Sequence, residues 1–267
     1  MVRVATETTG DQPALAVNTY EQPLNERMRT FLRLEFLYRT TEFHVADSSE
    51  ASTRQAVDGL LEICAILSRG DVRSELLKEL DRQLDQLHRF RDNPGVDASR
   101  VEACMRELAG IREATNTIGP HYLQKLRDSE FLSAIKHRSA IPGGTCEFDL
   151  PVFSHWLRRP YEARREDLDE WLKDLRPLCG GIKYIMWLIR QSAVPQHCRA
   201  NNGMFQNSLG KDCDCRMLRV TLTERSELFP EISGSPHRFT IRFLTWSGVG
   251  GRALQTNEDV DFQLSIC

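Results

Sequence analysis

Near residue 195 the spacing of the apolar residues changes, and the patterns on either side demand different folds. Before that point they recur every three or four positions, as on one face of an α-helix; after it they recur every second position, as on one face of a strand. A chain of this kind must place helices first and sheet second, which is an α+β arrangement.

The helical part opens at Asn25, a residue suited to an N-cap, behind which Met28, Phe31, Leu32 and Phe36 stand at helical spacing. Val57, Leu60, Leu61, Cys64 and Leu67 mark a second helix over 52–67. Gly70 ends it and Asp71 caps a third, in which Leu76, Leu77, Leu80, Leu84 and Leu87 repeat at near-heptad spacing until Asn93, Pro94 and Gly95 break it. A fourth, with Val101, Cys104, Met105, Leu108 and Ile111 on one side, folds back as an αα-hairpin. Weaker patterns over 122–138, 151–158 and 162–175 and a final one over 182–193 complete this part. Between them, Cys146, Phe148 and Leu150 alternate with polar residues and predict a strand near 144–150.

Beyond Pro195, Leu218, Val220 and Leu222 alternate with polar residues, as do Phe239, Ile241 and Phe243, and Val260, Phe262, Leu264 and Ile266. Three strands follow, in one antiparallel sheet with one face on a core and one in water. The expected layout is a mobile extension at 1–20, a mainly helical domain at 21–195 and an antiparallel β domain at 196–267. The length of 267 residues suits two cores.

Charge and composition exclude several roles. With 35 Lys+Arg against 38 Asp+Glu the formal charge is -3, so nucleic acid is disfavoured as the main partner. No apolar run approaches the roughly 18 residues of a membrane span, and the N-terminal stretch lacks a secretory apolar core; the chain reads as cytoplasmic, with no membrane partner. The eight cysteines are scattered rather than packed into a framework, so reduced thiols are the simpler reading.

Catalytic motifs are lacking. Six residues separate Gly203 from Gly210, where a phosphate loop needs four, and Asp212 follows Lys211 where Ser or Thr must stand. Neither HExxH nor GxSxG occurs, and no cofactor is implied. His197, Cys198, Cys213 and Cys215 offer four N and S donors in the count that tetrahedral zinc requires. Their C-x-C spacing and the adjacency of His197 and Cys198 favour ordinary loop residues, with a zinc-dependent enzyme as the alternative.

Positive charge carries more information. Arg69 and Arg73 flank the start of the third helix, where cations oppose the helix dipole. Arg238 and Arg242 share one strand face with Thr240 between them, about 13 Å apart on an otherwise uncharged strip. Solvated charge explains these residues as well as docking of a carboxylate-bearing partner does. A nucleic-acid adaptor using the same arginines is a further alternative.

Several long segments are recognisable: PLNERMRTFLRLEFL at 23–37, RGDVRSELLKELDRQ at 69–83, PGVDASR at 94–100, IPGG and FDLP within 141–151, LIRQSA at 188–193 and LFPEISGSPHRFTIRF at 228–243. In this order they resemble the ZapD family of bacterial cell-division proteins, associated with the tubulin-like GTPase FtsZ. The resemblance implies a non-enzymatic homodimer that binds the C-terminal tail of FtsZ and bundles its filaments at the midcell division ring. The basic residues matching the family are Arg33, Arg69, Arg73, Arg238 and Arg242. The first 20 residues and the loop at 201–214 carry no recognisable counterpart of it, and Glu130 and Ser154 stand where relatives carry a basic residue and a histidine; neither is assigned a role. The leucine stripe ending at Leu84 and Leu87 is either a dimer surface or core.

Overall fold

The computed structural model describes residues 18–91, 97–210, 215–223, 226–235 and 237–267. The expected extension before residue 18, the break at 93–95 and Cys213 lie outside the described residues. The chain divides into two compact units, one of Thr30–Met186 and one joining the residues up to Arg29 to Trp187–Cys267.

The Thr30–Met186 unit is helical. Helix α1 (Glu26–Val45) starts in the other unit, where Asn25 Oδ1 accepts the Met28 N–H at 2.9 Å. Its buried residues are Met28, Phe31, Leu34, Thr41 and Val45. Phe36, placed on this stripe by spacing alone, is 58% exposed, and Leu34 takes the buried position. Helices α2 (Glu50–Leu67), α3 (Val72–Arg91) and α4 (Ala98–Thr117) each begin with a side-chain cap, from Ser49, Asp71 and Asp97. Along α3, Leu76 and Leu80 are buried with Glu79 and Gln83, whose side chains hydrogen-bond at 3.0 Å. Leu84 and Leu87 are only half-buried.

The single helix expected over 122–138 is two, α5 (Gln124–Asp128) and α6 (Glu130–Ser139). Ser129 leaves helical geometry at ψ 108 and its Oγ accepts the Leu132 N–H, capping the second. The strand expected near 144–150 is a run of turns, closed by hydrogen bonds from Gly144 to Ile141, Cys146 to Gly143 and Leu150 to Cys146. Alternation there has no partner strand to meet, and Phe148 points into water, 85% exposed. Helices α7 (Pro151–Leu157) and α8 (Tyr161–Leu172) follow.

Helix α9 (Arg176–Ser192) begins six residues before the expected start at 182. Within the added turn, a Cβ at Gly181 would stand 2.9 Å from Ile111 and 3.0 Å from Leu76. Glycine is used here for close packing of α9 on α3 and α4, not to end a helix.

The other unit is a β-sandwich. Its first sheet has the order β1 (Asn18–Pro23), β4 (Met217–Leu222), β8 (Val260–Ile266), β2 (Gln196–Ala200); its second has β3 (Met204–Ser208), β6 (Arg238–Thr245), β5 (Leu228–Gly234), with β7 (Leu254–Gln255) also on β6. All pairings are antiparallel. Leu218, Val220, Leu222, Val260, Phe262 and Leu264 from the first sheet meet Phe239, Ile241 and Phe243 from the second in one core. Phe243 and Phe262 stand 5.0 Å apart between ring centroids.

Two expectations are corrected. The three alternating strands do not form one sheet: β4 and β8 pair with each other, and β6 lies in the opposite layer. Residues 18–20, assigned to a mobile extension, belong to β1, which pairs with β4 from Asn18 to Pro23. Glu21 holds it: the carboxylate accepts two hydrogen bonds from Arg190, both 2.8 Å, and lies 2.9 Å from Arg219.

Candidate partner-binding surfaces

Helix α1 turns its outward side to solvent over Arg33, Phe36, Arg39 and Phe43, opposite the buried stripe. Phe36 and Phe43 are two turns apart, about 10.5 Å along the axis. Neither guanidinium has a partner among the described residues. Spacing put Phe36 on the buried stripe and passed over Arg39 and Phe43; the signal for all three was that they fall opposite Phe31 and Leu34.

The arginines at the start of α3 separate into two kinds. Arg69, in the turn between α2 and α3, is exposed, and its guanidinium has no partner among the described residues. Arg73 reaches the end of α4, where Nε donates to the Thr115 carbonyl at 3.1 Å and Nη2 to the Asn116 carbonyl at 3.0 Å. It satisfies carbonyls that a helix terminus leaves open. A cation poorly placed for its own helix is well placed for its neighbour.

On β6, Arg238, Thr240 and Arg242 face away from the core while Phe239, Ile241 and Phe243 face into it. The alternation sets this orientation; the neighbours come from pairing. Arg242 lies between Met204 of β3 and Glu231 of β5, and it donates to the Glu231 carboxylate. The expected uncharged strip therefore carries one acid. Arg238 lies opposite Ser208, and its guanidinium has no partner among the described residues.

The zinc candidates are not gathered. His197 and Cys198 are neighbours on β2 and so point to opposite sides of its sheet. Cys215 is disulfide-bonded, contrary to the expectation of reduced thiols, which removes its thiolate as a ligand. The other described cysteines are free, and burial pushes the Cys64 thiol up to about 11 and the Cys179 thiol up to about 12. Among the described residues no group of three or more His, Cys, Asp and Glu is placed to hold a metal ion. No described helix is long and apolar enough to cross a membrane.

An open groove between α3 and α4 includes Asp81, Leu84, Asp85, Arg112 and Glu113 in its lining. Arg112 donates to Asp81 across it, leaving acidic charge in excess. This groove does not suit a carboxylate-bearing ligand.

A model of the ZapD cell division protein family matches residues 32–242. The Methylococcus capsulatus cell division protein ZapD is 40% identical over 249 residues, covering 93% of this chain and 97% of that protein. An Escherichia coli protein of the same name is 37% identical over 248 residues, covering 93% and 98%. The chain belongs to the ZapD family of cell division proteins. The matched span takes in Arg33, Arg69, Arg73, Arg238 and Arg242, so the ZapD family match extends over α1, the start of α3 and β6. In this family member three of the five arginines are exposed with no partner among the described residues, one is paired with Glu231 and one is bound to α4.

Proposed function

We propose that this chain is a non-enzymatic cell-division factor that binds the C-terminal tail of FtsZ and, as a homodimer, cross-links FtsZ filaments in the cytoplasm at the division site. The observation that supports this reading is the set of arginines with no partner among the described residues. These are Arg33, Arg39, Arg69 and Arg238, all exposed, in a chain whose formal charge is -3. Phe36 and Phe43 stand exposed beside the first two. A flexible tail bearing carboxylates and a few apolar side chains matches that chemistry.

A single site of this kind binds weakly. Two in a dimer engage tails on neighbouring filaments, and the repeat of the filament raises the overall affinity without new contacts. Bundling then needs valency and no reaction.

Sedimentation of FtsZ assembled with GTP tests the reading. The chain should pellet with full-length filaments and bundle them, and should stay in the supernatant with filaments lacking the tail. Equal pelleting with both would refute tail binding, and retention on unrelated oligonucleotides as strong as on tail peptide would favour a nucleic-acid adaptor.

A further inference from the structure

We propose that the open edge of β3 is a strand-addition site for an extended acidic peptide; resting on the reading above, the FtsZ tail binds there as a further strand of the second sheet. Sheet edges are templates for pairing, and proteins usually blunt them with proline, charge or a covering segment. Here the other long edges are blunted. β5 contains Pro230 and its end packs on Leu24 through Gly234; β1 ends in Pro23; β2 carries Arg199, held by Asp259 at 3.1 Å and facing Asp261 at 3.8 Å. From Met204 to Ser208, β3 has neither proline nor charge.

The ladder shows which backbone groups are open. Phe243 donates to the Gly203 carbonyl and Leu209 donates to the His237 carbonyl, both at 2.8 Å. Residues 203, 205, 207 and 209 therefore face β6, and 204, 206 and 208 face outward. Met204 exchanges two 3.0 Å bonds with Asn201, and the Ser208 N–H donates to the Asn207 side chain. Among the described residues, the N–H and C=O of Gln206 and the C=O of Ser208 have no partner. Gln206 thus offers both bonds of a hydrogen-bonded pair to an incoming strand.

Side chains beside this edge define the ligand. Arg238 lies opposite Ser208, and its guanidinium has no partner among the described residues. An added strand would lie about 10 Å from β6, two strand spacings away, within reach of a salt bridge between this arginine and an acidic side chain. On the core side, half-buried Phe205 packs on Phe262 at 5.3 Å between ring centroids and leaves an edge for an apolar residue to cover. An extended peptide alternates its side chains in the same way, so one carrying a carboxylate and an apolar residue on opposite faces meets both. The α1 surface offers cations and aromatic rings but no open backbone.

Fluorescence anisotropy with a labelled synthetic FtsZ tail peptide and the full chain tests the proposal. Gln206→Pro removes the outward N–H without touching the β6 ladder and should lower affinity at least tenfold. Gln206→Ala, which removes only the side chain, should stay within twofold, and both should keep the wild-type circular dichroism and melting temperature. Should Gln206→Pro fail to fold, peptides N-methylated at alternate amides decide with the wild-type protein: one alternating set should abolish binding and the other should not. Tail binding unchanged in Gln206→Pro, or equal tolerance of both methylated sets, would overturn the edge and leave the FtsZ reading standing. Loss of a dimer in Gln206→Pro with peptide affinity intact would make the edge a self-contact and overturn it as well. A wild-type chain that does not bind the peptide at all would refute the FtsZ reading itself, and this proposal with it.

Discussion

Arg242 on β6 and Glu231 on β5 are directly opposed across the second sheet, and the guanidinium donates to the carboxylate. The two arginines of β6 are therefore unequal, although the sequence presents them as a matched pair. Arg238→Glu should lower tail affinity about tenfold, and Arg242→Ala should have a smaller effect. Glu231→Gln, which frees Arg242, should raise affinity a few-fold. Anisotropy titrations at two salt concentrations check this, because exposed charge contacts weaken within a Debye length of about 8 Å at physiological ionic strength. Equal effects of the two arginine variants would contradict the pairing with Glu231.

Arg73 should behave as a stability residue. Its removal frees the Thr115 and Asn116 carbonyls at the end of α4, and Arg73→Ala should cost about 1 kcal/mol in urea unfolding. Arg69→Ala, which breaks no contact among the described residues, should stay within about 0.5 kcal/mol of wild type.

The two sides of α1 should respond differently to truncation. Phe31 is fully buried and Phe36 is exposed, so Phe31→Ala should cost roughly 3–5 kcal/mol and Phe36→Ala under about 0.5 kcal/mol. Comparable losses at the two positions would place Phe36 in the core after all.

How far these contrasts were legible beforehand depends on the range of the interaction. The alternation of Phe239, Ile241 and Phe243 fixes which way Arg238 and Arg242 point, because side-chain direction in a strand is a local matter. That Glu231 lies beside Arg242 depends on pairing, which periodicity does not contain. Edge strands were hidden for a related reason: β1 and β3 bury few side chains, so they carry no apolar alternation, and their partners define them. The turns at 144–150 show the reverse error, alternation with no strand to pair with. Arg73 was judged against the dipole of its own helix, while its guanidinium serves another 42 positions along the chain.

The pH dependence of one cap is open to measurement. At the start of α3, the hydroxyl of Ser74 and then its backbone N–H donate to Asp71 and hold its carboxyl below the ordinary value of 3.8. Because the folded value is depressed, the stabilisation is complete above about pH 4 and is lost as pH falls through the lower folded value. Asp71→Ala should therefore cost about 1 kcal/mol at neutral pH, and its melting temperature should converge on that of wild type below pH 4. A gap that persists unchanged at pH 2.5 would mean that the carboxylate is not its source.

Because β1 pairs with β4, β1 must wait, during synthesis on a ribosome, for nearly two hundred further residues before its partner emerges. The helical unit, contiguous from Thr30 to Met186, is complete in the meantime and can fold first. The nascent chain thus carries an unpaired strand until the last quarter is made, and closing β1 onto β4 becomes a late and slow step of folding. Pulse proteolysis of stalled chains of increasing length should find Tyr20 cleavable until β4 and β8 have left the exit tunnel.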